Sequence, residues 1–556
     1  MLRRFFKRRR FREELAPEDI FLDASNLPSF NIGQLEGRLE KPLKKSAFTS
    51  LGIAIFLVLV VLVVQAGRLG VIDGERYALQ SERNRLRNEV IFAKRGAIVD
   101  RNGIPLAYNE DGETGFDVRT YKYPGFSSLL GYVSYPKKDS SGHYYETEIE
   151  GLAGIEAFFD QQLKGTNGRL LVEEDAKGVI QSQGSVIPAT DGETLTLSID
   201  SRVQEAFYSS LSELADRIPF QGGAAMLLDV ETGEVIALAS FPEYDSNILS
   251  KGENREVIAS YNTNPRRVYL NRATGGLYAP GSIVKPVVAA GAYNDGIISA
   301  EKIIVSTGAL TIPNPYNPDN PTVFKDWKAH GAVDMRKAIA VSSDVYFYTI
   351  GGGFGDQKGL GIERLKYWYE TFGYTTETGI ELPSEKSGFV PDPAWKQETY
   401  DEPWRIGNTY HTSIGQYAMQ VTPLEALRAV AAVANGGKLL KPTLIKDAPL
   451  QGKSITISSE ALRIAREGMR QGVLEGTAKG LNVGFTDIAA KTGTAEIGAA
   501  KDYINAWVVG FFPYDKPKYA FAVVMERGPV HNTVGGVYVA VTALQKLNQS
   551  APEYFK

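Results

Sequence analysis

The chain of 556 residues contains no cysteine. It therefore forms no disulfide, no cysteine–metal site and no thiol nucleophile. It also lacks an excess of positive charge: the formal net charge is -4 at pH 7, so no overall basic field indicates a nucleic-acid partner. The composition, 43% hydrophobic and 23% charged, is that of a globular protein, and the length suffices for two or three domains.

An uncharged apolar run, Ala47–Ala66, is long enough to span a bilayer. The alternative is a cleaved signal peptide, but the run starts late, is long for a signal sequence and has no clear cleavage site. Seven of the first twelve residues are Lys or Arg, which predicts a cytoplasmic N-terminus. We therefore expect a single-pass plasma-membrane protein with a disordered cytoplasmic tail (1–46), a transmembrane helix (47–66) and everything later outside the cell.

Residues 67–199 predict a small β-rich pedestal. The helix is expected to continue through Gly70–Arg87, followed by a strand-like segment, Val90–Val99. A short helix is expected at Ala157–Leu163, with strands around Arg169–Glu173 and Leu195–Ile199.

Residues 200–556 predict a larger α+β domain. Ser201 fits a capping box that opens a helix to Asp216, and Ala224–Asp229 with Glu234–Ser240 fits a β-hairpin. Two strands, a helical block, three strands and a helix indicate an antiparallel sheet covered by helices. The expected later elements are the helices Val333–Ile350, Ile362–Thr371, Pro423–Ala434, Ser459–Leu474 and Val534–Leu547, and the strands Asp487–Ala495, Ala506–Phe512 and Tyr519–Met525.

Ser282 and Lys285 form an S-x-x-K pattern at the start of an apolar run. At a helix start this spacing puts both side chains on one face, where an amine can take a proton from a hydroxyl. Ser282 is thus a candidate nucleophile and Lys285 its base. The alternative is ordinary N-capping by a serine, because S-x-x-K also occurs by chance.

Two further patterns follow, S-x-D at Ser342 and Asp344 and K-T-G at Lys491, Thr492 and Gly493. Alone, the first favours a helix N-cap, and the second is short and common enough to be an ordinary turn. Together the three patterns occur in the order and structural settings known from penicillin-binding proteins and class A β-lactamases.

With these motifs the chain resembles the class B penicillin-binding proteins, and within them the elongation-type penicillin-binding protein 2. The resemblance runs from about Ala47 to the C-terminus. It includes R-G-A-I-V-D-R-N-G (95–103), G-L-A-G-I-E (151–156), the hairpin region 222–240, and the stretches 414–423 and 506–511.

The resemblance implies a serine D,D-transpeptidase that cross-links peptidoglycan stem peptides during cell-wall elongation and is inhibited by β-lactams. Ser282 would attack the penultimate carbonyl of D-Ala-D-Ala, and Lys285 would take its proton. Ser342 would relay the proton, Asp344 would orient Lys285 or the substrate amide, and Lys491 would lower the pKa of Lys285.

The same resemblance implies an oxyanion hole formed by the backbone N–H groups of Ser282 and Thr494. Thr492 and Thr494 would hold the terminal carboxylate, and Gly493 would keep the strand edge open for the peptide.

Two departures from the family pattern alter what is expected. The segment between Gly103 and Gly151 is short, so the pedestal head is reduced. Some family members bind zinc with Asp, His and Cys, but here Asp326 and His330 are closely spaced and cysteine is absent. We expect no metal and no cofactor. The chain contains no visible glycan-polymerising domain, so the resemblance implies a RodA-type polymerase and other elongation-complex membrane proteins as partners.

Four other functions are compatible with parts of this pattern. A β-lactamase shares the motifs but needs no span or pedestal, and a membrane-anchored carboxypeptidase differs only in using water as the acceptor. A β-lactam sensor usually has several spans. A non-catalytic scaffold would not need Ser282, Lys285, Ser342 and Lys491 together.

Overall fold

The structure is a computed structural model that describes residues 45–78, 86–112, 115–140, 142–174, 180–313, 317, 319–498 and 500–556. The predicted cytoplasmic tail lies outside these residues, apart from Lys45 and Ser46. The chain divides into two compact units, Met1–Arg87 with Glu173–Gln181, and Asn88–Val172 with Ser182–Lys556. The domain boundary expected at 199/200 stays a prediction.

The first unit contains helix α1 (Lys45–Gly67), which continues as a π-helical turn, Arg68–Ile72. Together they are long and apolar enough to cross a membrane, in agreement with the predicted span. The prediction of a continuous helix to Arg87 is wrong, because a bend at Asp73 interrupts it and Leu86 already begins a strand.

Within its described residues the pedestal consists of short strands and three short helices, as its β-rich sequence predicts. Its sheets have the strand orders β1-β9-β10 and β11-β2-β3-β4, with the pairs β5-β8 and β6-β7. The strand β10 was not expected. The segment predicted as one strand, Val90–Val99, contains the end of β1 and the whole of β2, with a non-strand stretch between them. The elements are β1 (Leu86–Ile91), β2 (Ile98–Val99), β3 (Pro105–Glu110), β4 (Val118–Tyr121), α2 (Ser127–Leu130), β5 (Val133–Ser134), β6 (Lys137–Lys138), β7 (Tyr144–Glu146), β8 (Glu150–Gly151), α3 (Gly154–Phe158), α4 (Asp160–Leu163), β9 (Gly168–Glu174), β10 (Ile180–Ile187) and β11 (Leu195–Thr196).

Buried charges join the pedestal segments that carry the family motifs. Glu156 accepts hydrogen bonds from Arg95 Nε at 2.6 Å and from Arg119 Nε at 2.7 Å, and all three side chains are buried. A buried carboxylate needs such partners, because an unpaired one is costly. The motifs around Arg95 and Glu156 are therefore two halves of one structural network.

The larger domain is built on a five-stranded antiparallel sheet of order β13-β12-β22-β21-β20, which confirms the predicted α+β fold. Alternate residues of β12 enter two hydrophobic cores, one on each face. The elements are α5 (Ser201–Arg217), β12 (Gly222–Asp229), β13 (Val235–Phe241), α6 (Ser246–Lys251), α7 (Arg255–Thr263), α8 (Arg272–Gly275), α9 (Lys285–Asn294), β14 (Ile304–Ser306), β15 (Ala309–Ile312), β16 (Thr322–Lys325), β17 (Gly331–Val333), α10 (Met335–Val341), α11 (Asp344–Gly352), α12 (Gly361–Thr371), α13 (Pro393–Tyr400), α14 (Ile406–Ser413), α15 (Pro423–Ala434), β18 (Lys438–Leu440), β19 (Gly452–Ser454), α16 (Ser459–Leu474), β20 (Ala489–Ile497), β21 (Tyr503–Phe512), β22 (Tyr519–Pro529) and α17 (Gly536–Ser550).

Two local predictions in this domain are wrong. Helix α5 is capped by Asp200, whose carboxylate accepts from Arg202 N, while Gln204 bonds to other segments instead of closing a capping box. The helix expected over Val333–Ile350 is two helices, α10 and α11, separated at Ser342.

Candidate active site

Ser282 lies in a short 3₁₀ turn, Gly281–Val284, that leads directly into α9. Lys285 is the first residue of α9, and Pro286 in the first turn suits a position that lacks a helical hydrogen bond. Ser282 is half-buried, whereas Lys285 is completely buried. The predicted placement of S-x-x-K at a helix start is therefore correct.

Gly415 supports this turn from the other side. Its carbonyl accepts from Gly281 N at 2.9 Å, and a Cβ at Gly415 would lie 2.3 Å from Gly281 O. Trp507 Nε1 also donates to Ala279 O at 3.0 Å, just before the turn. The sequence alone gave Gly415 no role beyond membership of a family stretch, since its use depends on a contact between distant segments.

The K-T-G motif lies on β20, the edge strand of the sheet. A Cβ on Gly493 would lie 2.8 Å from Pro280 O and 2.9 Å from Ile283 Cγ2. Glycine is thus required where the strand packs against the 3₁₀ turn that carries Ser282, which we call the nucleophile turn. The close approach that a glycine within a strand indicates is thus that of Pro280 and Ile283, and the role of Gly493 in keeping the edge open stays a prediction.

Ser342 occupies the break between α10 and α11 with φ 60° and ψ 40°. This left-handed conformation is rare for a residue with a side chain. The capping role considered for the S-x-D motif belongs to Ser343, whose side chain accepts from Tyr346 N. The Ser342 hydroxyl is therefore not used as a helix cap and instead contacts Lys285 and Lys491.

The Ser342 hydroxyl lies between two buried lysine amines. Lys285 Nζ is 3.2 Å from Ser342 Oγ, and Lys491 Nζ is 2.9 Å from it. Lys285 Nζ also donates to Asp344 Oδ1 at 2.6 Å and to Ser342 O at 2.8 Å, while Lys491 Nζ donates to Thr492 O at 2.7 Å. The structure thus brings Lys285, Ser342, Asp344 and Lys491 together in one hydrogen-bonded cluster.

The charges of this cluster are unequal, with two lysines and one contacting carboxylate. Burial, and next the positive charge of Lys285, hold the pKa of Lys491 well below its usual value, while Asp344 opposes this shift. Lys491 therefore gives up its proton more readily than an exposed lysine does, and Asp344 pairs directly with Lys285.

A cavity of about 480 Å³ opens above the cluster. Ser282, Ser342 and Asp344 line one part of it, and Thr492, Gly493 and Thr494 line another. All predicted site residues except the two buried lysines therefore line one cavity. Thr477, which bonds to the Thr492 hydroxyl at 2.6 Å, and the exposed Trp327 also line it, and neither carried a recognisable sequence signal.

Asp326 and His330, the residues considered for zinc, lie beneath the Ser342 break. Asp326 Oδ2 accepts from Ser343 Oγ, Ser306 Oγ and Val345 N at 2.9–3.1 Å. The carboxylate is thus used to hold the start of α11. Within the described ranges, no group of three or more His, Cys, Asp or Glu side chains is placed to hold a metal.

Comparisons with known proteins agree with this geometry. The family model described as "Penicillin binding protein transpeptidase domain" matches residues 223–545, and "Penicillin-binding Protein dimerisation domain" matches 116–197. The "Peptidoglycan D,D-transpeptidase MrdA" of Acinetobacter baumannii is 32% identical over 497 residues, 81% of this chain and 71% of the relative.

Two solved structures are similar over nearly their whole length. The complex between penicillin-binding protein PBP2 and MreC from Helicobacter pylori gives a TM-score of 0.70 at 26% identity, covering 84% of this chain and 99% of that one. A structure described as "Structural coordination of polymerization and crosslinking by a peptidoglycan synthase complex" gives a TM-score of 0.70 at 25% identity, covering 90% and 97%.

Proposed function

The chain belongs to the penicillin-binding protein transpeptidase family, and we propose that Ser282 is the nucleophile of its D,D-transpeptidase reaction. The protein is a peptidoglycan D,D-transpeptidase of the elongation type, with the D-Ala-D-Ala end of a stem peptide as its donor. One observation carries the residue assignment: the Ser342 hydroxyl bridges two buried lysines below the cavity that Ser282 lines.

The donor peptide adds to the free edge of β20 as an extra antiparallel strand. Thr492 and Thr494 hold its terminal carboxylate, which places the penultimate carbonyl at Ser282. The backbone N–H groups of Ser282 and Thr494 then face the oxygen on which negative charge develops. One such donor contributes about 3–4 kcal/mol to the stability of the transition state.

Acylation starts with a proton transfer inside the cluster. A proton moves from the Lys285 ammonium to Ser342 Oγ while the Ser342 proton moves to the Lys491 amine, so Lys285 becomes neutral. Lys285 then takes the Ser282 proton as Ser282 Oγ bonds to the carbonyl carbon. The lowered pKa of Lys491 favours the unprotonated amine that this route needs as an acceptor, and it also makes the transfer uphill, because that amine is a weaker base than an ordinary lysine.

The intermediate collapses when the C–N bond breaks. The leaving D-Ala nitrogen takes a proton from Ser342, which Lys285 replaces, and the acyl group remains on Ser282. An amine of a neighbouring stem then attacks the ester, its proton passes through Ser342 to Lys285, and Lys285 returns it to Ser282 Oγ. The product is a cross-link, and the same residues serve both half-reactions.

The apolar helix α1 anchors the protein in the membrane, and we place its N-terminus in the cytoplasm and the catalytic domain outside. Structural relatives include a complex with MreC and a peptidoglycan synthase complex. The proposed partners are elongation-complex membrane proteins, including a RodA-type polymerase that supplies the glycan strands this chain cross-links.

The test uses the full-length protein in detergent with a donor pentapeptide stem and an acceptor stem. D-Ala release and cross-linked dimer are measured together by mass spectrometry. We expect both products from the wild type and a loss of at least 100-fold in Ser342→Ala. The matched control is Ser343→Ala, which removes a helix cap but no contact with the lysines, and should keep the rate within about threefold.

Two outcomes would contradict the proposal. D-Ala release without dimer, at acceptor concentrations that saturate the rate, would make the protein a carboxypeptidase. Equal losses in Ser342→Ala and Ser343→Ala would remove Ser342 from the proton path and leave it a structural residue.

A further inference from the structure

A second cavity, of about 500 Å³, lies at the C-terminal end of the edge strand. We call it the arginine cavity, and its lining includes Arg267, Tyr278, Tyr417, Glu496, Glu526 and Arg527. Glu496 is two residues beyond Thr494 on β20, a distance of about 7 Å along a strand. The arginine cavity therefore lies where a peptide paired with β20 extends away from Ser282.

The two arginines of this cavity are exposed and form no ion pair with a carboxylate in the part of the chain that the structure describes. Its two carboxylates are already paired: Glu496 with Lys501 at 2.8 Å, and Glu526 with Arg272 at 2.6 Å. Two uncompensated guanidinium groups therefore remain, and guanidinium is the side chain best suited to bind a carboxylate.

Arg527 reaches the arginine cavity through a β-bulge. Ala506 pairs with Met525 and Ile504 pairs with Gly528, so Glu526 and Arg527 together lie opposite Asn505. Arg527 N donates to Asn505 Oδ1 at 3.0 Å, and its guanidinium lies 4.4 Å from the centre of the Tyr503 ring. Bulges beside active sites commonly redirect a side chain in this way.

The backbone around the arginine cavity is unusually strained. Arg267, Tyr417 and Arg527 have φ values of 50°, 69° and 49°, three of the nine left-handed non-glycine residues in the described ranges. Left-handed side-chain-bearing residues cluster at ligand sites, where the surrounding structure holds them in place. Both arginines therefore have fixed backbones that aim them from two different segments.

Tyr278 lines the same cavity with its buried ring, while its hydroxyl oxygen is shielded from solvent and lies beside Glu526. Burial, and next the charge of Glu526, raise the pKa of Tyr278. The polar contacts that the arginine cavity offers to an anion are therefore those of the two arginines.

We propose that the arginine cavity binds a carboxylate of the donor stem peptide, carried by the residues that precede D-Ala-D-Ala. The inference rests on the proposed function, because the antiparallel pairing with β20 directs those residues toward Glu496. Arg267 and Arg527 bind the carboxylate. Simple penicillins lack this part of the peptide and do not use the cavity.

The experiment compares two synthetic pentapeptide donors that differ at one position. In one, the residue before D-Ala-D-Ala carries a side-chain carboxylate, and in the other this carboxylate is amidated. For the wild type we expect kcat/KM to fall about 10- to 100-fold on amidation, mainly through KM, as loss of charge-assisted hydrogen bonds requires. In Arg527→Ala and in Arg267→Ala the two donors should become nearly equal, while Arg527→Lys should keep part of the preference.

Two controls separate this inference from the proposed function. Arg255→Ala removes the same charge from an exposed arginine that does not line the arginine cavity, and it should keep the preference. Acylation by benzylpenicillin should be unchanged in all variants. A wild type that treats both donors alike, or arginine variants that slow both donors equally, would overturn the inference while normal benzylpenicillin acylation left the catalytic assignment intact.

Discussion

Substituting alanine for Gly493 tests how closely the strand and the nucleophile turn must fit. The new Cβ would lie 2.8 Å from Pro280 O, about 0.6 Å inside the shortest ordinary contact of 3.4 Å, and 2.9 Å from Ile283 Cγ2. Pro280 O is a backbone atom, so the turn or the strand must move. A displacement of this size between Ser282 and the Thr494 N–H is expected to cost about 100-fold in the acylation rate.

The assay is the second-order rate constant for acylation by a fluorescent penicillin, measured beside the melting temperature. The matched control is Gly484→Ala, because a Cβ there meets no atom within 4 Å and the residue lies just before the same strand. Gly484→Ala should acylate at the wild-type rate. The reasoning is refuted if a folded Gly493→Ala acylates within threefold of the wild type.

Three further predictions concern stability. The pKa of Lys491 is held well below 10.5 in the folded state only. At any pH between the folded-state pKa and 10.5, the unfolded protein therefore binds one more proton than the folded protein. The free energy of unfolding should therefore rise with pH toward 10.5, by up to about 1.4 kcal/mol per pH unit, and urea titrations should show a shallower rise in Lys491→Met. Asp326→Asn weakens three buried hydrogen bonds and should lower the free energy of unfolding, measured by urea titration, by about 2–3 kcal/mol. The control Glu301→Gln changes an exposed carboxylate and should lower it by less than about 0.5 kcal/mol. Removing divalent metal ions with a chelator should shift the melting temperature by less than about 1 °C, and a larger drop would point to a structural metal.

The order and setting of the motifs could be predicted from the sequence. The nearly continuous apolar runs of β21 and β22, the apolar α15 and the amphipathic α16 carry strong local patterns, so their positions follow directly. Ser282 and Lys285 are placed at the start of a helix by local spacing alone. These local patterns agreed with the fold, which is why the antiparallel sheet and several of its covering helices were predicted correctly.

The remaining site features depend on tertiary contacts. The stretch AVSSDVYF contains no Gly or Pro, and its only local sign of a break is the capping role considered for S-x-D. Asp326, 16 residues before Ser342 in the chain, stabilises the break. A glycine in a strand indicates a close approach, but the sequence does not say that Pro280 approaches Gly493 or that Gly281 approaches Gly415. The exposed Arg267 and Arg527 carry no sequence signal either, because ion-pair partners cannot be read from a sequence.

The most direct test of the central claim is covalent labelling of the full-length protein by a fluorescent penicillin, followed by peptide mapping. The assignment of Ser282 as nucleophile predicts a stable label on the peptide that contains Ser282, and its complete loss in Ser282→Ala with an unchanged melting temperature. A label that persists in folded Ser282→Ala, or that maps to another serine, would contradict it.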